Sequence, residues 1–227
     1  MTEQVWQALI ITLQLAGVTT AILMVLGLPL AWKLSSMTSR VRPALEALVA
    51  LPMVLPPTVL GFYLLVAFSP NSLPGQLWQD ITGSTLAFSF SGLVLASVFY
   101  SLPFVVQPLQ RAFEQLDRGL LEAAATLGAS PLDRFFSIVL PQTFRPLLLA
   151  ASLGFAHTVG EFGVVLMIGG NIPGETQVLS IALYDAVETQ DFASAHLIAG
   201  GLIGFALVLL TALYTLDRRP SRKKEAH

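Results

Sequence analysis

The sequence contains no cysteine and few charged residues. Of its 227 residues only 11% are charged and 54% are hydrophobic, whereas a soluble domain is about 25% charged. Because cysteine is missing, disulfides, thiol nucleophiles and cysteine-ligated metal or iron–sulfur sites are excluded. The net charge of −2 offers no basic surface to nucleic acid. These absences predict a polytopic membrane protein rather than a soluble enzyme.

Two motifs of nucleotide-binding proteins and hydrolases are also missing. There is no G-x-x-x-x-G-K-[ST] phosphate loop, because the nearest glycine-rich segment, residues 169–174, lacks the lysine. There is no HExxH motif, and the histidines, His157, His196 and His227, are scattered along the chain. We therefore expect no metal and no cofactor on this chain, and an intramembrane hydrolase is disfavoured. Any ATP-driven activity would therefore depend on a partner that binds ATP.

Long apolar windows predict five transmembrane helices and an all-α fold. A bilayer core of about 30 Å requires roughly 20 apolar helical residues. The windows place the spans at about 5–32, 44–68, 86–108, 146–168 and 195–216. The fourth span contains one acid, Glu161. Residues 1–217 would form one transmembrane domain, followed by a basic tail at 218–227.

The basic residues predict the orientation in the membrane. All twelve lysine and arginine residues fall in the first loop, the third loop or the C-terminal tail. By the positive-inside rule these regions are cytoplasmic, so the N-terminus faces out and the C-terminus faces the cytoplasm. The charged residues on the predicted outer side are all acidic: Glu3, Asp80, Glu175, Asp185, Glu188 and Asp191. Such a surface repels an anionic solute instead of steering it.

Residues 109–145 form the longest predicted cytoplasmic loop. Their pattern predicts two short helices, Ala112–Leu127 and Pro131–Val139, separated by a turn at residues 128–130. Gly128 suits the end of the first helix, and a proline suits the first turn of the second. An amphipathic helix that lies on lipid headgroups fits the same spacing.

A motif in this loop favours a different role. Residues 122–141 resemble the EAA signature of bacterial ABC importer permeases, E-A-A-x3-G-x9-I-x-L-P, at every position. The matching residues are Glu122, Ala123, Ala124, Gly128, Ile138, Leu140 and Pro141. The resemblance implies a coupling helix that docks into a groove on a separate ATP-binding subunit. Small alanines permit close approach to a groove, and the rigid junction at Pro141 would transmit movement into the fourth span.

Prolines make the second span a pathway candidate. Pro52, Pro56 and Pro57 occur within six residues and are followed by Thr58. Proline removes a backbone donor and kinks a helix. Carbonyl groups freed in this way within a membrane must face protein or a water-filled path. A gate or a pathway lining is therefore favoured over a passive bend.

The fourth span carries ionisable candidates. His157 and Glu161 are four residues apart, which predicts a shared helix face and an ion pair or hydrogen bond. Such a pair either locks two helices together, which we favour from the residues alone, or serves the pathway. Gly160, Gly163 and, beyond the span, Asn171 complete the pathway candidates.

Three strings together resemble the molybdate ABC transporter permease family. They are LPMVLPPTVLGFY at 51–63, GEFG at 160–163 and NIPGETQ at 171–177. The resemblance covers about residues 44–190 and implies a type I ABC importer permease in the plasma membrane, the inner membrane of a Gram-negative cell. It implies three protein partners besides the bilayer: a second copy of the chain, two ATP-binding subunits that hold ATP and magnesium, and an extracytoplasmic oxyanion-binding protein. The implied function is translocation of molybdate by a subunit that is not itself an enzyme.

Several alternatives stay open. A tungstate or sulfate/thiosulfate permease belongs to the same ABC class. A secondary transporter would show internal repeats with paired broken helices, and five spans do not divide into equal halves. The acidic outer surface implies that affinity resides on the binding protein and that this chain supplies a low-affinity path. The outer segment Gln177–Thr189 predicts a short amphipathic helix that caps the path or docks that protein.

Overall fold

The computed structural model describes residues 3–217, and the basic tail predicted at 218–227 lies outside them. Within this range the chain is helical and contains no strand, so the predicted all-α fold is confirmed. The helices are α1 (Glu3–Ser36), α2 (Arg42–Val54), α3 (Pro57–Phe68), α4 (Leu73–Thr82), α5 (Phe90–Glu114), α6 (Arg118–Thr126), α7 (Pro131–Arg134), α8 (Leu140–Val159), α9 (Gly163–Gly169), α10 (Leu179–Glu188) and α11 (Phe192–Asp217). A π-helical turn, Phe135–Val139, joins α7 directly to α8.

Three long helices, α1, α5 and α8, pack against one another and form the core. Val105 of α5 is fully buried where the three meet. Gly154 of α8 lies against it, and an added Cβ there would be 2.7 Å from the Val105 Cγ2 atom. Gly27 of α1 approaches the same valine from the other side. Small residues at these positions let the three backbones come close together.

The second predicted span, 44–68, is not one kinked helix. Helices α2 and α3 are bent by 108° across a break at Leu55 and Pro56. These two residues have extended ψ values of 138° and 133°, because a proline disfavours the helical conformation of the residue before it. Within residues 3–217 four helical stretches are long and apolar enough to cross a membrane, and this bent pair makes a fifth if it counts as one span.

The fourth predicted span, 146–168, begins earlier than expected and is interrupted. Pro146 lies inside α8, and the helical stretch runs from Pro131 to Val159. It breaks at residues 160–162 before α9 begins. Gly160 ends α8, in keeping with the weak helix propensity of glycine.

The helices predicted in the cytoplasmic loop have different bounds. Ala112–Leu127 is divided between α5 and α6, because the Asp117 carboxylate accepts a hydrogen bond from the Gly119 N–H at 2.8 Å and starts a new helix there. Pro131–Val139 is not an independent helix, since it continues into α8. Long helices therefore extend into both ends of the predicted loop.

Helices α6 and α10 lie at opposite ends of α1. The Arg118 guanidinium of α6 donates to the Ser35 carbonyl at 3.4 Å, near the C-terminus of α1. The Leu179 N–H of α10 donates to the Thr12 hydroxyl at 2.8 Å, near the N-terminus of α1. The short helix predicted at 177–189 is thus present as α10, and it is far from the segment that carries the EAA motif.

Two elements complete the fold. Helix α4 was not predicted from the sequence. It begins after Ser72, and the Ser72 hydroxyl accepts a hydrogen bond from the Gly75 N–H at 3.1 Å. The last predicted span is α11, which packs on α10 and α8. Most of its surface is exposed, including Ile203, Leu207 and Val208. An apolar helix surface of this kind is expected to face lipid or another subunit.

Candidate pathway and coupling site

The two broken helices, α2–α3 and α8–α9, meet near their breaks. Helices α3 and α9 pack closely because Gly163 lies against Pro57, where an added Cβ would be 2.8 Å from the Pro57 Cβ. A cavity of about 540 Å³ opens beside this contact. We call it the middle cavity, and six of the predicted pathway residues line it: Pro57, Thr58, His157, Gly160, Glu161 and Gly163. The fold thus brings two distant proline- and glycine-rich segments to one place.

Glu161 is the most unusual side chain of the middle cavity. It is only 3% exposed, and neither carboxylate oxygen accepts a hydrogen bond from residues 3–217. The Ser97 hydroxyl of α5 faces this carboxyl, yet it also lacks hydrogen-bond geometry to any described partner. The Ser180 hydroxyl donates to the Glu161 backbone carbonyl at 2.5 Å, which fixes the main chain and not the side chain. A buried polar group without partners calls for an explanation, and an ionisable residue within a membrane span is a candidate for a functional role.

The predicted pairing of His157 with Glu161 is wrong. The His157 Nδ1 atom lies 2.9 Å from the Ser101 hydroxyl of α5, and the imidazole stacks on Phe104 with ring centroids 3.8 Å apart. Helix α8 ends before Glu161, so the two residues do not have the one-turn relationship that their spacing assumes. Sequence reasoning missed Ser101 and Phe104, since neither stands out in the apolar sequence of α5.

Three pathway candidates lie outside the middle cavity. Pro52 is buried inside α2, and Pro56 forms the break before α3. Asn171 belongs to a polar cluster with Asp185 and Gln177. Its Nδ2 atom donates to the Asp185 carboxylate at 2.9 Å, and its Oδ1 atom accepts from the Gln177 Nε2 atom at 2.9 Å. These bonds hold the connection between α9 and α10, which gives Asn171 a structural role.

A second cavity, of about 390 Å³, opens between α5 and α8 toward the EAA segment. We call it the inner cavity, and its lining includes Phe104, Gln107, Arg111, Gln115 and Arg145. In the sequence Arg111 and Arg145 indicate only how the chain is oriented in the membrane. They are 34 positions apart, and this spacing does not predict that they line the same cavity. Phe104, which stacks on His157, lies between the inner and middle cavities.

Residues 118–141, which we call the coupling segment, contain every position of the EAA motif. Helix α6 ends in a Schellman motif, in which the N–H groups of Gly128 and Ala129 donate to carbonyls of its last turn, both at 3.0 Å. Gly128 has a φ of +88°, which glycine adopts without strain. Ser130 and Asp133 then form a capping box that starts α7. The turn between the two helices is therefore fixed from both sides.

The surface of the coupling segment is apolar and exposed. Helix α6 has no buried residue, and Glu122 and Ala123 face solvent. Leu127 is 88% exposed, Leu132 70% and Phe136 62%. Adjoining large apolar side chains at this exposure mark an interaction surface.

The end of the EAA motif is built into the start of α8. Pro141 has no N–H, so the Ser137 carbonyl one turn earlier loses its usual α-helical partner. The π-helical turn lies at this position, and the Leu140 N–H donates to the Phe135 carbonyl across it. Ile138 lies within the turn. From Pro131 onward the coupling segment therefore continues into α8 without a break, and this helical stretch ends at Val159.

The fold is that of a type I ABC importer permease. A bacterial ABC transporter that imports the acidic polysaccharide alginate has the same fold, with a TM-score of 0.71 and 19% identity over 96% of this chain and 79% of that one. Residues 9–221 match the family of binding-protein-dependent transport system inner membrane components. The chain belongs to this family and is a multi-pass inner-membrane transport protein.

Two permeases of different transport systems differ in their sequence identity to this chain. The chain is 54% identical to the molybdenum transport system permease protein ModB of Azotobacter vinelandii, over 96% of both chains. It is 35% identical to the sulfate transport system permease protein CysT of Salmonella typhimurium, over 99% of this chain and 80% of that one. The similarity to the first relative is higher and covers nearly all of both sequences.

Proposed function

We propose that this chain is the membrane-spanning permease of an ATP-driven molybdate importer. The observation that carries the proposal is the 54% identity to a molybdenum transport permease over 96% of both chains. Identity to the sulfate permease is lower, at 35%. Sulfate and tungstate importers are the alternatives within the same class, and stimulation of ATP hydrolysis by the loaded binding protein distinguishes the sulfate importer.

The proposal includes three partners. A second copy of the chain would complete the pathway, and the exposed apolar surface of α11 would face either that copy or lipid. Two ATP-binding subunits would hold ATP and magnesium and would dock on the exposed apolar side chains of the coupling segment. An extracytoplasmic binding protein would deliver the oxyanion, since acidic residues dominate the predicted outer surface and repel a dianion.

Coupling would pass through one continuous helix. Caps at Gly128 and Ser130 fix the turn between α6 and α7, and residues 131–159 are helical throughout. A displacement of α6 is then carried as a rigid-body movement to Gly160, where the helix breaks beside the middle cavity. A break between packed helices is a place where such a movement changes the shape of the pathway.

The substrate test uses the permease in liposomes with its ATPase and its binding protein. ATP hydrolysis is measured with the binding protein loaded with molybdate, tungstate or sulfate, or left empty. We expect stimulation by molybdate and tungstate and none by sulfate. Stimulation by sulfate alone would assign the chain to the sulfate permeases and contradict the proposal.

A pair of matched variants tests the docking surface. Leu127→Ser removes the most exposed apolar side chain of the coupling segment. We expect it to weaken copurification of the ATPase by about tenfold or more, since burial of one leucine contributes about 1.5–3 kcal/mol. Leu77→Ser is the control, because Leu77 is 59% exposed on α4, away from the coupling segment. Equal copurification with both variants would contradict docking through α6.

A further inference from the structure

Arg111 of α5 and Arg145 of α8 line the inner cavity together with Gln107 and Gln115. Among the residues that the structure describes, neither arginine forms a salt bridge. Two guanidinium groups and two side-chain amides on facing helices provide hydrogen-bond donors in several directions. Arginine presents its donors as a planar fork that matches the oxygens of an oxyanion in pairs.

Two neighbouring carboxylates compensate this charge only in part. Glu46 and Glu114 line an adjoining cavity that Arg111 also borders, but both form salt bridges with Arg42. The Gln110 amide donates to both carboxylates as well. Across the two cavities three arginines face two glutamates, so one positive charge is left uncompensated.

We propose that the inner cavity is a weak binding site for a tetrahedral oxyanion, held by Arg111 and Arg145. Its volume of about 390 Å³ accommodates such an anion with part of its hydration shell, since one water occupies about 30 Å³. Both arginines are exposed, and attraction between exposed charges is weak. The site therefore holds an anion briefly and releases it, which suits the exit of a pathway.

The position of the inner cavity supports this role. Phe104 lines the inner cavity and stacks on His157 of the middle cavity, so the two cavities are neighbours along α5 and α8. The identity of the anion rests on the proposed function, whereas the arrangement of charge does not. The phosphate of a lipid headgroup has the same chemistry, so the experiment must separate a free anion from a lipid.

Equilibrium binding to the permease–ATPase complex, without the binding protein, tests the site. The complex is placed in nanodiscs of phosphatidylcholine alone or with phosphatidylglycerol, and radiolabelled molybdate, tungstate and sulfate are the probes. We expect saturable molybdate binding in both lipids. Arg111→Gln or Arg145→Gln should weaken it about tenfold, because each removes a charge-assisted hydrogen bond. The matched control, Arg40→Gln, removes an exposed arginine that lines neither cavity and should leave the affinity unchanged.

Three outcomes of the binding and variant measurements would overturn the inference. The first is equal molybdate affinity in the wild type and both cavity variants, and the second is an equal loss in Arg40→Gln. The third is binding that phosphatidylglycerol abolishes, which would assign the cavity to a lipid headgroup. ATP-driven uptake with the binding protein is measured in parallel. Molybdate uptake without anion binding in the inner cavity would contradict this inference but not the proposed function. Sulfate binding in the inner cavity together with uptake of sulfate alone would contradict molybdate as the substrate but not the anion site.

Discussion

His157 and Phe104 form an aromatic stack between α8 and α5, with ring centroids 3.8 Å apart and ring planes 25° from parallel. His157 lines the middle cavity and Phe104 lines the inner cavity. The Ser101 hydroxyl lies 2.9 Å from the His157 Nδ1 atom and orients the imidazole. The stacked pair therefore lies where the two cavities approach each other, and we expect it to separate them.

Removal of the Phe104 ring should connect the two cavities. The chain contains no cysteine, so a single Thr58→Cys substitution in the middle cavity reports access without background. In inside-out vesicles we expect a charged thiol reagent to react about 2- to 10-fold faster after Phe104→Ala, because an aromatic stack contributes about 0.5–1.5 kcal/mol. Phe99→Ala is the control, since Phe99 is exposed on the same helix and lines neither cavity. An unchanged rate in the Phe104 variant would show that the stack is not a partition.

We expect the wild-type Glu161 carboxyl to lower the free energy of unfolding and to be needed for transport. Its buried carboxyl has no hydrogen-bond partner among residues 3–217, and an unpaired buried polar group costs about 1–3 kcal/mol. We expect Glu161→Leu to raise the free energy of unfolding by about this amount and to lower molybdate uptake. Glu175→Leu, at an exposed glutamate, should change stability by less than about 0.5 kcal/mol. Thermal unfolding in detergent and uptake in liposomes measure the two effects. A less stable Glu161→Leu protein with normal uptake would restore a structural role for this carboxyl.

The sequence predicted those features that depend on local chemistry. Apolar windows predicted where the long helices lie, and consecutive prolines predicted a disturbance near Pro56. The size of that disturbance, a bend of 108°, could not be predicted, because it depends on how α3 packs against α9 through Gly163. The EAA motif predicted a turn at Gly128, and the turn is present with a positive φ.

Features that depend on contacts between distant helices were missed or mistaken. His157 was paired with Glu161 from their spacing, but its partners are Ser101 and Phe104 on another helix. Which face of α5 meets α8 is set by packing around Val105, and no local pattern reveals it. That Arg111 of α5 and Arg145 of α8 line one cavity could not be predicted from the sequence for the same reason. The roles of the residues in the coupling segment stay predictions.

Gly128 should be essential for coupling because of its backbone conformation. Its φ is +88°, and no atom lies within 4 Å of an added Cβ, so Gly128→Ala introduces backbone strain of about 1–2 kcal/mol and no clash. We expect stimulation of ATP hydrolysis by the loaded binding protein to be lost, since α6 no longer ends in the same geometry. Gly83→Ala is a matched control, because Gly83 has a φ of +72° and equally open surroundings at the end of α4. The same loss in both variants would attribute the effect to general destabilisation.

Thr12 should stabilise the protein through one buried contact between α1 and α10. Its hydroxyl donates to the Ala8 carbonyl at 2.7 Å and accepts from the Leu179 N–H at 2.8 Å. Thr12→Val preserves the shape but leaves a buried N–H unpaired, so we expect the free energy of unfolding to fall by about 1–3 kcal/mol. Thr19→Val is the control in the same helix, since Thr19 is fully buried and its hydroxyl has no partner among residues 3–217. Valine there removes an unpaired polar atom and should maintain or raise the midpoint of thermal unfolding. If both variants lost stability equally, the effect would come from the loss of a hydroxyl and not from the link to α10.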